Sequence, residues 1–307
     1  MQTFQFIKNK DIDAAQWDNC VQQSDNGFIY GQTFFLNHIS PGWSGLVGEN
    51  YDWVLPVVSR KKFGFSYLYQ PPFTQQLGVY AKKGVVVPYH EIIKWLKANF
   101  SFWEISWNSA TAKHIADVKI LQIEATNFVL PLGKDYKSIA ENFHTDLIKN
   151  LKKSIQSRLI YQPSPRFENC IYLFMRHYAS RTPHVTQADY QNFRQLCFFA
   201  KEKNQLICRD AINEKGDVLA TALLLSGGNR MYNMMNTTTE EGRKKAANHF
   251  LINEIIKEFA GQNIILDFEG SDLPGVKVFY ENFGAVNEPY YHIRYNNLPW
   301  PAKLFKR

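Results

Sequence analysis

Four cysteines in 307 residues are few, and they are scattered: Cys20, Cys170, Cys197 and Cys208 form no CxxC pair and no Cys/His spacing suited to zinc. That leaves no basis for a disulfide scaffold or a structural metal. Missing too is any run approaching the ~20 apolar residues that a membrane-spanning helix needs. The opening MQTFQFIKNKDIDAAQW has no apolar h-region, so no signal peptide is expected and a cytoplasmic, reducing setting is read. No low-complexity tract, heptad run or tandem repeat appears. GxGxxG, GxxxxGK[ST] and GxSxG are all absent, which removes the usual sequence grounds for a Rossmann fold, a P-loop or an α/β-hydrolase.

What is present is ordinary for a folded chain: 45% apolar and 21% charged residues, with aromatics high at 15%. Length alone suggests two domains, or one large one. Charge adds a boundary, because residues 1–125 carry 11 Lys and Arg against 10 Asp and Glu, whereas residues 126–307 carry 24 against 18. We read domains over 1–125 and 126–307, with the basic excess in the second, where it would attract a phosphate-bearing partner or simply aid solubility.

In the first domain, periodicity predicts a strand at 4–7, helices at 13–23 and 32–39, strands at 44–48, 52–59, 64–70 and 84–87, a helix at 89–99 and a strand at 102–107. In the second it predicts a strand at 127–132 and one long amphipathic helix at 136–157. A strand at 159–162, helices at 166–179 and 187–203, and strands at 205–212, 218–226 and 230–236 follow. The chain then reads helix 244–260, strand 264–269, helix 273–282 and strand 290–295. The strand–helix–strand near the end sets 230–236 and 264–269 side by side and parallel, in a sheet otherwise antiparallel. The fold class is α+β: mixed, mostly antiparallel sheets with flanking helices.

Three stretches carry candidate chemistry. Along 264–269, alternation sets Ile265, Asp267 and Glu269 on one face of a central strand, where carboxylates are costly to bury unless paired. Asp267 or Glu269 can accept the proton an amine loses on acylation; alternatively Asp267 pairs with an arginine. Asp272 reads as an N-cap for the helix containing Pro274. His249 reads as packing or exposed. The loop 69–78 sets Gln75 and Gln76 among Tyr69, Phe73 and Tyr80, amides beside rings, which suits a peptide or glycan and equally suits ordinary packing.

The stretch IILDFEGSDLPGVKVFYENFGA, residues 264–285, resembles the end of a Fem-type protein, and the whole second half resembles the GNAT acyl-CoA N-acyltransferase fold. Fem-type proteins comprise the bacterial peptidoglycan interpeptide-bridge transferases and their relatives. The resemblance implies two GNAT-like domains in tandem, with an activated acyl group bound between two splayed parallel strands. Residues 237–249, TTTEEGRKKAANH, fall where GNAT enzymes seat a pyrophosphate on a helix N-terminus. Arg243 matches the first signature position, with Lys244 and Lys245 beside it, while Ala246 and Asn248 stand where the signature has glycines. Fem-type proteins also lack those glycines, and their well-known members use aminoacyl-tRNA. Residues 276–285 resemble a second GNAT segment, which places Tyr280 at the position that protonates the departing thiolate. Tyr69, Phe73, Gln75 and Gln76 fall where the first Fem domain lines the substrate groove.

The expected function is transfer of an acyl or aminoacyl group from an activated donor to a primary amine. Acyl-CoA or aminoacyl-tRNA is the co-substrate, and no permanently bound cofactor or metal is expected. The acceptor is an amine-bearing small molecule, peptide or cell-wall precursor. Two alternatives are a tRNA-dependent aminoacyl transferase of cell-wall peptide synthesis and a non-catalytic GNAT-fold binding module. Tyr280, Asp267 and Glu269 are the candidate catalytic residues.

Overall fold

The computed structural model describes residues 4–115, 117, 119–270, 272–300 and 303. The chain forms two compact units. One comprises Met1–Ala125 with Pro289–Arg307, and the other Thr126–Glu288.

The first unit opens with β1 (Phe4–Lys8), α1 (Ala14–Gln23), α2 (Thr33–Ile39), β2 (Ser44–Gly48) and β3 (Trp53–Val57). It continues through β4 (Ser59–Lys62), β5 (Phe65–Tyr69), β6 (Tyr80–Ala81), α3 (Tyr89–Asn99), β7 (Phe102–Asn108), α4 (Ser109–Ala112) and β8 (Ile120–Ala125). The second holds β9 (Phe128–Pro131), α5 (Tyr136–Ala140), α6 (Thr145–Gln156), β10 (Ile160–Pro163), α7 (Phe167–Tyr178), α8 (Gln187–Glu202), β11 (Leu206–Ile212), β12 (Val218–Gly227) and β13 (Arg230–Thr238). It ends with α9 (Glu240–Lys244), α10 (Ala247–Phe259), β14 (Ile265–Asp267), α11 (Pro274–Glu281) and β15 (Val286–Asn287). The last strand, β16 (Tyr290–Asn296), returns to the first unit.

That return corrects the boundary read from the sequence. β16 lies between β7 and β8 and pairs with both along nearly its whole length, so Pro289–Arg307 folds with the first unit rather than the second. The charge division moves with it. The first unit holds 15 basic against 10 acidic residues and the second 20 against 18, so most of the excess belongs to the first.

The first unit contains two sheets, ordered β1-β2-β3-β6 and β4-β5-β7-β16-β8, and within the latter only β5 and β7 are parallel. The second unit contains one, ordered β10-β11-β12-β13-β14-β9-β15, in which only β13 and β14 are parallel. Its central strand β12 is buried on both faces, and α10 covers a large cluster on this sheet. Leu251, Ile252, Ile255 and Ile256 of α10 pack there with Leu224, Met231, Leu266, Phe268 and Phe283, all buried.

Two predicted helices are broken. The apolar spacing over 136–157 is interrupted at residues 141–144, where His144 starts α6 in extended backbone. The stretch 244–260 begins earlier and breaks at Ala246, whose left-handed backbone (φ 55°) separates α9 from α10. The run 84–87 is not a strand: Val86 is 92% exposed and no neighbouring strand pairs with it.

Candidate active site at the β13/β14 opening

The site of interest lies wholly in the second unit. β13 and β14 share three register pairs, Arg230 with Ile265, Met231 with Leu266 and Tyr232 with Asp267. There β14 ends, whereas β13 runs on to Thr238. A bulge coincides with the end of the ladder. Leu225 faces Tyr232 and Leu223 faces Met235, so Asn233 and Met234 together oppose Leu224. An extra residue of this kind bends its strand and interrupts pairing. The two parallel strands therefore part company at the Asp267 row.

Beyond that row β13 carries polar groups that the fold leaves unmatched. Asn233 Oδ1, Asn236 Nδ2 and Thr237 Oγ1 are buried atoms with no hydrogen-bond partner among the described residues, and Asn248 Oδ1 in the first turn of α10 is a fourth. A buried polar atom without a partner costs roughly 1–3 kcal/mol, so such atoms are rare and call for a cause.

The end of β14 supplies the titratable groups. Asp267 is almost fully buried and takes three partners: Arg230 Nη1 donates at 2.6 Å, the Glu269 N–H at 2.9 Å and Asn127 Nδ2 at 3.3 Å. Burial lifts its carboxyl above the ordinary carboxylate value, against the pull of these partners. Arg230 also reaches Glu288, through Nη1 at 2.7 Å and Nη2 at 3.0 Å. Burial opposes the guanidinium's charge, but Glu288 and Asp267 overcome it and hold Arg230 above the usual arginine value. Asp267 thus has the arginine partner that the sequence offered as the alternative to catalysis.

Glu269 is different. Its backbone is left-handed (φ 63°), an uncommon conformation for this residue that costs on the order of 1–3 kcal/mol. Gly270 follows, also at positive φ (52°), and a Cβ there would stand 2.1 Å from the Thr126 carbonyl oxygen, so the turn admits only glycine. Burial pushes the Glu269 carboxyl up to about 8. A carboxyl poised there exchanges protons readily near neutral pH.

Tyr280, on α11, stacks on Phe268 with ring centroids 4.5 Å apart. Burial, then the charges of Glu269 and Asp267, raise its phenol above the ordinary tyrosine value. The structure therefore brings Tyr280 and Glu269 within electrostatic reach of each other beside the opening. Phe279 and Phe283 pack with each other, 5.3 Å between centroids, as expected for rings that seat the helix. Asp272 is not the cap of α11; that position is Leu273, and Asp272 accepts from the N–H and hydroxyl of Thr126 instead.

The expected anion-binding stretch is less cationic than its sequence. Lys244 pairs with Glu240 at 3.1 Å, Lys245 with Glu241 at 2.7 Å, and Arg243 donates to the Thr238 carbonyl at 2.9 Å. Ala246 keeps a left-handed backbone at the position where the GNAT signature has glycine. His249, its pKa lowered by burial to about 4, packs edge-on against Phe279.

Tyr69, Phe73, Gln75 and Gln76 lie in the first unit. Tyr69 carries Arg60 over its ring at 4.1 Å and shares a hydrogen bond with Ser40. Phe73 sits at φ 58°. Gln76 is buried and donates to Gln75 Oε1 at 2.7 Å. Among the described residues, no group of three or more His, Cys, Asp or Glu is placed to hold a metal.

Sequence reasoning missed Arg230, Asn127, Glu288, Asn233 and Asn236, while Thr237 opens the stretch it assigned to anion binding. One signal was readable: asparagine is depleted in strands, yet Arg230–Thr238 holds two. The Arg230–Asp267–Glu288 link joins positions far apart in the chain and follows only from the parallel pairing.

No protein-family model matches the sequence, and no curated protein matches it. Solved structures do. FemX aligns over 96% of this chain and 98% of its own, with TM-score 0.65 at 14% identity. L-PGS from Bacillus licheniformis aligns over 95% of each chain, with TM-score 0.56 at 10% identity. A GCN5-related N-acetyltransferase from Sphaerobacter thermophilus aligns over 97% of each, with TM-score 0.54 at 8% identity. The chain has the GNAT-type α+β fold of these proteins over nearly its whole length. Among the described residues, no helix is long and apolar enough to cross a membrane.

Proposed function

We propose that the chain is an N-acyltransferase that moves an acyl or aminoacyl group from an activated donor to a primary amine. The observation that carries this reading is the opened β13/β14 pair, with unmatched polar atoms on β13 beyond the last shared row and Glu269, whose charge reaches Tyr280, just past the end of β14. A donor whose hydrogen-bonding groups lie along β13 would satisfy these atoms. In the reaction the amine nitrogen attacks the donor carbonyl and a C–N bond forms. Glu269 accepts the proton the nitrogen sheds. The bond to the leaving sulfur or oxygen breaks, and the Tyr280 phenol protonates the departing atom. Asp267, already engaged by Arg230, acts as a positioning residue that holds the end of β14. Positioning and desolvation supply most of the remaining acceleration.

Acyl-CoA and aminoacyl-tRNA are the two donor classes, in a cytoplasmic setting. Two observations favour an ester donor such as aminoacyl-tRNA. Ala246 and Asn248 carry side chains where a pyrophosphate would press on bare backbone, and the lysines beside them are paired. A phenol raised above its ordinary value also matches an alkoxide leaving group better than a much less basic thiolate. The acceptor is an amine-bearing small molecule, peptide or cell-wall precursor. Thermal shift against CoA thioesters, charged tRNA and cell-wall precursors tests this. Stabilisation by a donor of either class supports a transferase, and stabilisation by acceptors alone identifies a non-catalytic binding module.

A further inference from the structure

The first unit carries a feature that acyl transfer does not use. β4 is an edge strand whose residues Ser59, Arg60, Lys61 and Lys62 are all exposed, and it turns into β5 through Phe63 and Gly64. Phe63 is 87% exposed and held at φ 50°, a backbone that bulky side chains rarely adopt. Lys62 Nζ stands 5.4 Å over the Phe63 ring, a surface cation–π contact that is a small return for a strained, exposed phenylalanine. β16 finishes at the same end of the sheet, three strands across from β4. Ser101 N–H donates to the Ser66 carbonyl and Asn297 N–H to the Ser101 carbonyl, so the Phe63 turn, the start of β7 and the end of β16 form one end of the sheet. Three residues beyond Asn297 stands Trp300, 80% exposed, and Lys303 is tied back by its N–H to the Pro299 carbonyl.

Two exposed rings, flanked by Arg60, Lys61, Lys62 and Lys303, match the chemistry of a bilayer interface. Aromatic side chains settle at headgroup depth while cations meet anionic lipid. Single-stranded nucleic acid is read by rings set on a sheet face, where bases can stack. Phe63 and Trp300 lie past the sheet's end. We propose that this end of the first unit docks on an anionic lipid surface.

The test is co-sedimentation of the full chain with vesicles of phosphatidylcholine alone and of phosphatidylcholine mixed with phosphatidylglycerol. Binding is expected to the mixed vesicles only, weakening as salt rises. Lys61→Ala and Lys62→Ala should each lower it about fivefold. Phe63→Ser and Trp300→Ser should each lower it about tenfold. All four side chains are exposed, so unchanged circular dichroism and Tm are expected alongside. Equal binding to both vesicles, no binding to either, or parent-like binding by all four variants overturns the proposal. So does binding of bulk tRNA through these residues with vesicles ignored.

Discussion

The molecule builds a parallel strand pair twice, and the two differ in what lies past the third row. In the first unit β5 and β7 match Tyr67 with Phe102, Leu68 with Trp103 and Tyr69 with Glu104. The chain then sews the gap shut. Gln70 N–H donates to the Glu104 carbonyl, Leu77 N–H to the Ser106 carbonyl and Asn108 N–H to the Leu77 carbonyl, while the Gln70 side chain accepts from Ser106 N–H and donates to the Thr74 carbonyl. In the second unit β13 and β14 also make three rows, and beyond them Asn233, Asn236 and Thr237 keep unmatched atoms. The chain bridges the gap past the first pair with its own backbone and the Gln70 side chain, and leaves the gap past the second with unmatched polar atoms. The 69–78 loop that reads from the sequence as a substrate rim is locally the filling of the first pair.

Chemistry should separate the two most sharply. Tyr280→Phe keeps the ring stack on Phe268 and removes only the hydroxyl, and Glu269→Gln removes the base; each should cost ~10²–10⁴ in turnover with the fold intact. Steady-state kinetics on a confirmed donor and acceptor checks this, and parent-like rates in both variants would place proton transfer elsewhere. Next in size is the buried ion triad. Arg230→Met strips Asp267 of its guanidinium and should destabilise the protein by ~3–5 kcal/mol in urea unfolding. The stitching in the first pair is worth less. Gln70→Ala leaves the Ser106 N–H without its acceptor and should cost ~1–3 kcal/mol without moving donor affinity. Thr237→Val has the opposite signature. It removes a buried hydroxyl that has no partner, so the free protein should gain on the order of 1 kcal/mol while donor affinity falls.

Stability should also depend on pH. Glu269 holds its proton to about pH 8 when folded, against about 4.5 when unfolded. The native state then binds more protons than the unfolded state between those values, so this group's contribution is greatest below pH 4.5 and declines as pH rises to 8. Glu269→Gln should flatten that decline, read as Tm against pH. His249 acts at lower pH with the other sign. Its folded value near 4 lies below the ordinary 6.5, so stability falls as pH drops through that window.

Much of this fold was legible because its signals are local. The parallel pair followed from a strand–helix–strand pattern, and the carboxylates of 264–269 stood out against an apolar strand. The break at Ala246 was not legible, because it depends on one left-handed residue that is not glycine. The break at residues 141–144 contains neither glycine nor proline, so helical spacing reads straight through it. The run 84–87 looks like a strand by composition, but strands need a neighbour, and composition does not report one. β8 escaped notice because Leu121 and Ile123 are exposed, which blurs the alternation that marks a half-buried strand. The site residues found from the sequence are those near one another in the chain. Arg230, Asn127 and Glu288 meet Asp267 or its partner only after folding.

The central claim is that the second parallel pair is open for a donor and the first is closed. Hydrogen exchange on the whole chain, with and without a donor that stabilises it, tests this most directly. The account predicts new protection of the amides of residues 233–237 and of the first turn of α10, with residues 70–77 unchanged. Protection confined to residues 70–77, or none at 233–237 while the donor is bound and turned over, would contradict it.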